Sequence, residues 1–227
     1  MEISKIGVLG GTFNPIHRGH LHIAREIRRL FSLSRVYFVV ATTPPHKDSE
    51  TLIPFAHRFA MVALATSRVA AFVPSLVEME PLASPFSVDT MDKLRRRFPE
   101  PRAVLYFIAG GDSLPEVKSW RESEKLLSRY NFVFALRPGS SDSDPAELLG
   151  CGSERLRDFT GLSPGQVRLR IGGEDPKEPR IYVVDVNAPE ISATRIRKLV
   201  GSGRPIGGLV PESVRQYIDK LHLYGAR

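Results

Sequence analysis

The stretch from Gly7 to His20, GVLGGTFNPIHRGH, limits the fold of this 227-residue chain more than any other segment. Before it, Ile3 to Leu9 is a short apolar run broken by Ser4, Lys5 and Gly7, the pattern of a buried strand. After it, Leu21, Ala24, Ile27 and Phe31 recur at helical spacing, with Arg25, Glu26, Arg28 and Arg29 between them. The segment therefore reads as a strand, a glycine-rich turn and the first turn of a helix. Backbone amides at such a turn have no intrahelical partner, and the helix dipole adds positive potential, so phosphate is the natural ligand. Gly10 and Gly11 place no side chain between the backbone and an anion. His17 and His20, three apart, share one face of the helical turn and can reach the same phosphate.

Two familiar phosphate loops are excluded. There is no G-x-x-x-x-G-K-[ST], so this is not a P-loop. A dinucleotide fingerprint needs three spaced glycines and an acidic residue closing the second strand. Here the run from Arg35 to Ala41 leads into Thr42-Thr43-Pro44-Pro45 with no carboxylate, which argues against NAD as a bound cofactor. Two other readings of the histidines stay open. They could ligate a metal, although zinc needs a third ligand and no Cys or His lies close in sequence. They could also simply cap the helix.

The residues GGTFNPIHRGH resemble the nucleotidyltransferases that carry a T/H-x-G-H signature, and within them the bacterial nicotinate-nucleotide adenylyltransferases. One departure is Asn14, where that family usually has Asp; Asn can still cap a turn. The resemblance continues through TPPHK at 43–47, GGDSL at 110–114 followed by Trp120, and Arg137-Pro138-Gly139. It returns at ISATRIR, 191–197, with Ala193 where the family has a second Ser. At PFSVDT, 85–90, Phe86 replaces a Tyr and Ser87 a Thr. The resemblance implies phosphate contacts from Gly10, Gly11, Thr12 and Phe13, and from His46 and Lys47 beyond the second strand. It implies a nucleotide lying against Gly110 and Asp112, whose carboxylate could accept from a ribose hydroxyl. It places the mononucleotide near Phe86, Ser87, Trp120 and Arg137. Exposed Lys47 could equally be a solvated loop residue, and Trp120 could equally be a core anchor.

The rest of the chain supplies an alternating pattern of strand and helix. Val36 to Ala41 is β-rich, Phe55 to Val69 helical with Arg58 directed inward, and Ala71 to Met79 β-like. Ser87 reads as the N-cap of a helix, Val104 to Ala109 as a strand, and the segment carrying Trp120 as helix. Phe132 to Leu136 is a fifth strand and Ile181 to Val186 another. Between them, Ser140 to Pro179 turns to Gly, Pro, Ser, Asp and Glu, and reads as an excursion loop with one short helix. Ser192 is a natural N-cap, and Thr194 and Arg197 face the same way one turn on, which makes a second anion site. A last helix starts near Pro211.

These patterns predict a parallel, doubly wound α/β sheet in a single domain spanning 1–227, with the excursion at about 140–179, and the resemblance implies that it is the Rossmann-like nucleotidyltransferase fold. The resemblance implies a reaction that joins ATP to nicotinate mononucleotide, giving nicotinate adenine dinucleotide and pyrophosphate, as in NAD biosynthesis. His17, His20 and Arg197 would be catalytic, with Ser192 and Thr194 on the ATP phosphates. Mg²⁺ is expected to travel with ATP, since no carboxylate cluster forms a protein cage. Nicotinamide mononucleotide as substrate and a non-catalytic nucleotide-binding regulator are the alternatives. The single Cys151 cannot form an internal disulfide, and no apolar run is long enough to span a bilayer, so a cytoplasmic location is expected. The charge of +7 suits a polyanion such as ATP. Its densest cluster, Arg95-Arg96-Arg97, ends a helix, and no aromatic interleaving accompanies it, so neither nucleic acid nor a membrane is an expected partner. A homo-oligomer is compatible with all of this.

Overall fold

The computed structural model describes residues 3–43, 52–80, 84–137, 144–150 and 154–225. Strand β1 (Ser4–Gly11) is followed by α1 (Arg18–Phe31), β2 (Arg35–Val40), α2 (Phe55–Thr66) and β3 (Phe72–Ser75). Next come α3 (Ser87–Arg97), β4 (Ala103–Gly110), α4 (Ser123–Arg129) and β5 (Asn131–Leu136). The chain ends with α5 (Pro145–Leu149), β6 (Leu156–Asp158), α6 (Pro164–Gly172), β7 (Ile181–Asp185), α7 (Ala193–Gly201) and α8 (Glu212–Lys220).

The strands form one sheet in the order β3-β2-β1-β4-β5-β7-β6, with every pairing parallel. The chain runs outward from β1 through β2 to β3, then returns to β4 on the other side of β1. That reversal makes β1 and β4 the switch point, where open α/β sheets leave a ligand crevice beyond the carboxyl ends of the strands. The central strands are apolar on both faces, as a sheet covered by helices requires. Leu9, Val36, Phe38 and Tyr106 face α1, α2, α7 and α8, while Val8, Val39, Leu105 and Phe107 face α3 and α4.

The strands and helices fall close to the sequence reading, with five differences. The strand expected over Ala71–Met79 ends at Ser75, because Pro74 and the tight turn at Val77–Met79 leave no further ladder. The helix starting near residue 55 stops at Thr66 rather than Val69. The segment carrying Trp120 is not regular helix: it makes two 3₁₀ turns, Gly111–Ser113 and Val117–Ser119, and Trp120 ends the second. Pro211 is the cap before α8 and not its first residue. Finally, the excursion contains α5, β6 and α6, and β6 joins the sheet beside β7. Its composition hid this because β6 has only three residues and α6 only two buried apolar positions, Val167 and Ile171.

Candidate active site

Gly10 and Gly11 are the last two residues of β1, so the turn proper begins at Thr12. Gly10 is exposed, and a Cβ there would meet only the Phe107 ring at 3.5 Å, which leaves that face of the strand end open. Phe13 has φ 47° and is buried, packing edge-on to His20 at 5.0 Å and against Phe38 at 6.0 Å. Its side chain is core, so only its main chain is left for a ligand. His17 is the N-cap of α1, and its main-chain N–H donates to Nδ1 of His20 at 3.3 Å. The capping reading of the histidines is thus partly realised. With Nδ1 accepting, the neutral His20 ring carries its proton on Nε2 and keeps that donor for something else.

The two imidazoles stack at 3.7 Å. Gly19 makes room for this, since a Cβ there would stand 3.0 Å from His17 Nδ1. His17 is only 7% exposed, and its Nδ1 is buried with no hydrogen-bond partner among the described residues. Burial, with the Arg137 charge adding to it, lowers the His17 pKa to about 4. Burial and the neighbouring His17 hold His20 well below the ordinary value. Both rings are therefore neutral near pH 7.

The unfolded chain binds a proton on His17 near the ordinary pKa of 6.5, and the folded chain does so only near 4. Stability from this group is complete above about pH 6.5 and is lost as pH falls toward 4. Thermal midpoints of wild type should drop more steeply between about pH 7 and pH 5 than those of His17→Asn, which keeps a capping side chain. Parallel pH slopes would show that His17 is not buried as a neutral ring.

The second predicted anion site lies beside the first. Ser192 caps α7, its Oγ accepting from Arg195 N–H at 3.1 Å. Arg197 donates through Nη1 to the main-chain oxygen of Asn14 at 2.9 Å and through Nη2 to Thr194 Oγ1 at 3.3 Å. Residues 14 and 197 are thus joined directly, and the start of α7 borders the loop that leads into α1. Thr194 and Arg197 act as one unit rather than as two separate donors, and the remaining guanidinium N–H groups stay available.

Across the strand ends, Asp112 is exposed and folds back over Gly110, where a Cβ would lie 2.5 Å from Asp112 Oδ1. A side chain at Gly110 would push the Asp112 carboxylate out of that position. Trp120 is half-buried, edge-on to Phe107 at 5.8 Å, so the core-anchor reading holds for much of the ring. The cap of α3 is Phe86, not Ser87, which is the first helical residue; no side chain caps that end. The hydroxyl that orders it belongs to Ser84, which donates to Asp89 Oδ2 at 2.6 Å. Arg137 follows β5 directly, with Nη1 3.9 Å from Glu190, and its charge acts on His17. His46 and Lys47 lie outside the described residues.

Four residues stand out here that the motifs do not mark. Arg58, 1% exposed, donates to Ile53 O at 3.1 Å, Thr12 O at 2.9 Å, Ala41 O at 2.6 Å and Thr42 O at 3.1 Å. Glu78 accepts from Thr42 N–H and from the Thr90 hydroxyl, both at 3.1 Å. Arg121 lies over the Phe86 ring at 4.7 Å. Tyr224 donates to Asn14 Oδ1 at 2.8 Å. Only Arg58 carried a sequence signal, as a cation inside an apolar helix.

Residues 8–199 match the model of the cytidylyltransferase-like family. The chain belongs to that family. It is 38% identical over 227 residues to a probable nicotinate-nucleotide adenylyltransferase of Syntrophotalea carbinolica, covering 97% of both chains. It is 38% identical over 222 residues to the protein of the same name from Geobacter sulfurreducens, covering 97% of this chain and 98% of that one. Among solved structures, the nicotinic acid mononucleotide adenylyltransferase of Plasmodium falciparum, complexed with NaAD, superposes with a TM-score of 0.71 at 20% identity. That match covers 99% of this chain and 98% of the other and shows a shared fold. The doubly wound parallel sheet and the family resemblance read from the sequence are both borne out.

Proposed function

We propose that the chain is a nicotinate-nucleotide adenylyltransferase, transferring the adenylyl group of ATP to nicotinate mononucleotide. The observation that carries the mechanism is the Arg197–Asn14 hydrogen bond, which sets two helix starts around one crevice. The named relatives support the activity and its place in NAD biosynthesis. A phosphate oxygen of the mononucleotide attacks the α-phosphorus of ATP. The new O–P bond forms as the bond from that phosphorus to the bridging oxygen breaks, and pyrophosphate leaves with the electron pair. The nucleophile is already ionised near neutral pH, so no general base is required. Rate acceleration rests on placement and on donors aimed at the charge that develops.

In this reading the His20 Nε2–H and the His17 ring hold the reacting phosphates. Arg197, steadied by Thr194, holds the leaving pyrophosphate with Ser192 beside it. The main chain of Gly10, Gly11, Thr12 and Phe13 lines the strand end, and Asp112 receives a ribose hydroxyl. Among the described residues no group of three or more His, Cys, Asp or Glu side chains could hold a metal ion. In this reading Mg²⁺ would arrive on the ATP phosphates, lowering their charge.

The mononucleotide faces Phe86, Ser87 and Trp120. The Arg121 guanidinium lies over one face of the Phe86 ring at 4.7 Å. Among the described residues Arg121 pairs with Glu122, at 3.9 Å, a weak pair on the surface. In this reading Arg121 brings a positive charge to the side of the crevice where a nicotinate carboxylate would lie.

The test is pyrophosphate release with ATP and equal concentrations of nicotinate and nicotinamide mononucleotides. Wild type should consume the acid in preference, by roughly 10-fold or more, the effect of one mispaired buried donor set. Equal use, or preference for the amide, would discard the assigned substrate. Arg121→Gln should cut the preference by roughly 5-fold with little change in thermal midpoint, in line with the loss of one charge-assisted contact.

A further inference from the structure

We infer that Tyr224, in the last described turn of the chain, is a positioning residue that holds Arg197 in place through Asn14. The inference rests on the assignment of Arg197 to the leaving pyrophosphate. Asn14 is 5% exposed and is gripped from two sides. Its side-chain Oδ1 accepts from the Tyr224 hydroxyl at 2.8 Å, and its main-chain oxygen accepts from Arg197 Nη1 at 2.9 Å. The phenol thus anchors the Asn14 side chain while Arg197 rests on the main-chain carbonyl of the same buried residue, so Tyr224 restrains the residue against which Arg197 is held.

The turn Leu223–Gly225 is itself seated on α7. A Cβ on Gly201 would come within 3.4 Å of Tyr224 O. Tyr224 adopts φ 61° and ψ 25°, a left-handed conformation unfavourable for a non-glycine residue unless its surroundings demand it. Here the demand is visible: relaxing the backbone would swing the phenol away from Asn14. Burial raises the Tyr224 pKa, so its hydroxyl remains a donor across the physiological range. The same donor explains how Asn serves at position 14, because either an amide or a carboxylate oxygen accepts from a phenol.

Tyr224→Phe removes the hydroxyl and keeps the ring, so it isolates the bond. The expected result is a fall of roughly 5- to 20-fold in kcat, with KM for the mononucleotide unchanged and a thermal midpoint close to wild type. Arg197→Lys and the double variant complete a cycle. If Tyr224 acts through Arg197, Tyr224→Phe should cost far less in the Arg197→Lys background than in wild type. Equal losses in both backgrounds, unchanged kcat in Tyr224→Phe, or a lowered midpoint with normal turnover of the folded fraction would each overturn the proposal. An Arg197→Lys variant with wild-type kinetics for ATP would instead overturn the pyrophosphate assignment, whatever Tyr224 does. Wild type making no dinucleotide would overturn the activity itself.

Discussion

His20→Ala is expected to lower kcat by roughly 100-fold or more while the unfolding midpoint moves little. The magnitude is that of losing one preorganised donor at a developing charge. His20 is suited to the role because its Nδ1 is tied to the His17 main chain at 3.3 Å and Phe13 packs against its edge at 5.0 Å. The ring cannot turn, and the Nε2 donor needs no reorganisation as the reaction proceeds. The capping contribution predicts a different balance. A Gln or Glu at this position of a helix start satisfies one main-chain N–H, and losing such a contact costs about 1 kcal/mol. Steady-state turnover and thermal unfolding on the same preparation separate the two. A large drop in midpoint with near-normal turnover of the folded fraction would assign His20 to the helix start alone.

Arg58→Leu is expected to be among the most destabilising single changes in the chain. Its guanidinium serves four carbonyl oxygens, those of Thr12, Ala41, Thr42 and Ile53. Leucine fits an apolar helix face but donates to none of them. Leaving several partly buried acceptors without donors should cost roughly 3–5 kcal/mol, of the order of breaking a buried charged network. For a chain of this size that corresponds to roughly 10 °C in Tm. Because Thr12 and Thr42 sit at the ends of β1 and β2, activity should fall with stability. Arg58→Lys should land between the two, since a point charge reaches one or two of the four oxygens. A midpoint for Arg58→Leu within about 2 °C of wild type would mean that water replaces the guanidinium freely.

The parallel sheet and most of its strands were legible because the signals were local and strong. The runs ending in Leu9, Val40, Gly110 and Leu136 are apolar for most of their length, and each meets a glycine, proline or polar break. The starts of α1 and α7 were legible for the same reason, since His17 and Ser192 stand directly at the caps. What the sequence hid is long-range. The Phe86 cap was misread because Ser87 is the better capping residue by type, yet the chain places Ser84 where a hydroxyl is needed. Arg121 follows a tryptophan that announces itself, and nothing local says that its guanidinium reaches Phe86. The bond from Tyr224 to Asn14 spans 210 residues, beyond any spacing rule.

The position of β6 has a consequence for how this molecule lives among its own copies. Strand β7, Ile181–Asp185, reads IYVVD and is almost wholly apolar. Left at the rim of the sheet it would offer five residues of unpaired backbone, a template on which another chain could add. The segment before it supplies the cover, since β6 pairs along its side from Leu156 to Asp158. That outermost strand is three residues long, with charged Arg157 and Asp158 in it, too short and too polar to propagate a ladder. The opposite rim is blunted by different means: β3 is four residues long and carries Pro74, whose nitrogen has no hydrogen to give. Both margins of a strongly apolar sheet thus end in short strands that give a neighbour little backbone to extend, and the stretch with the least distinctive composition covers one of them.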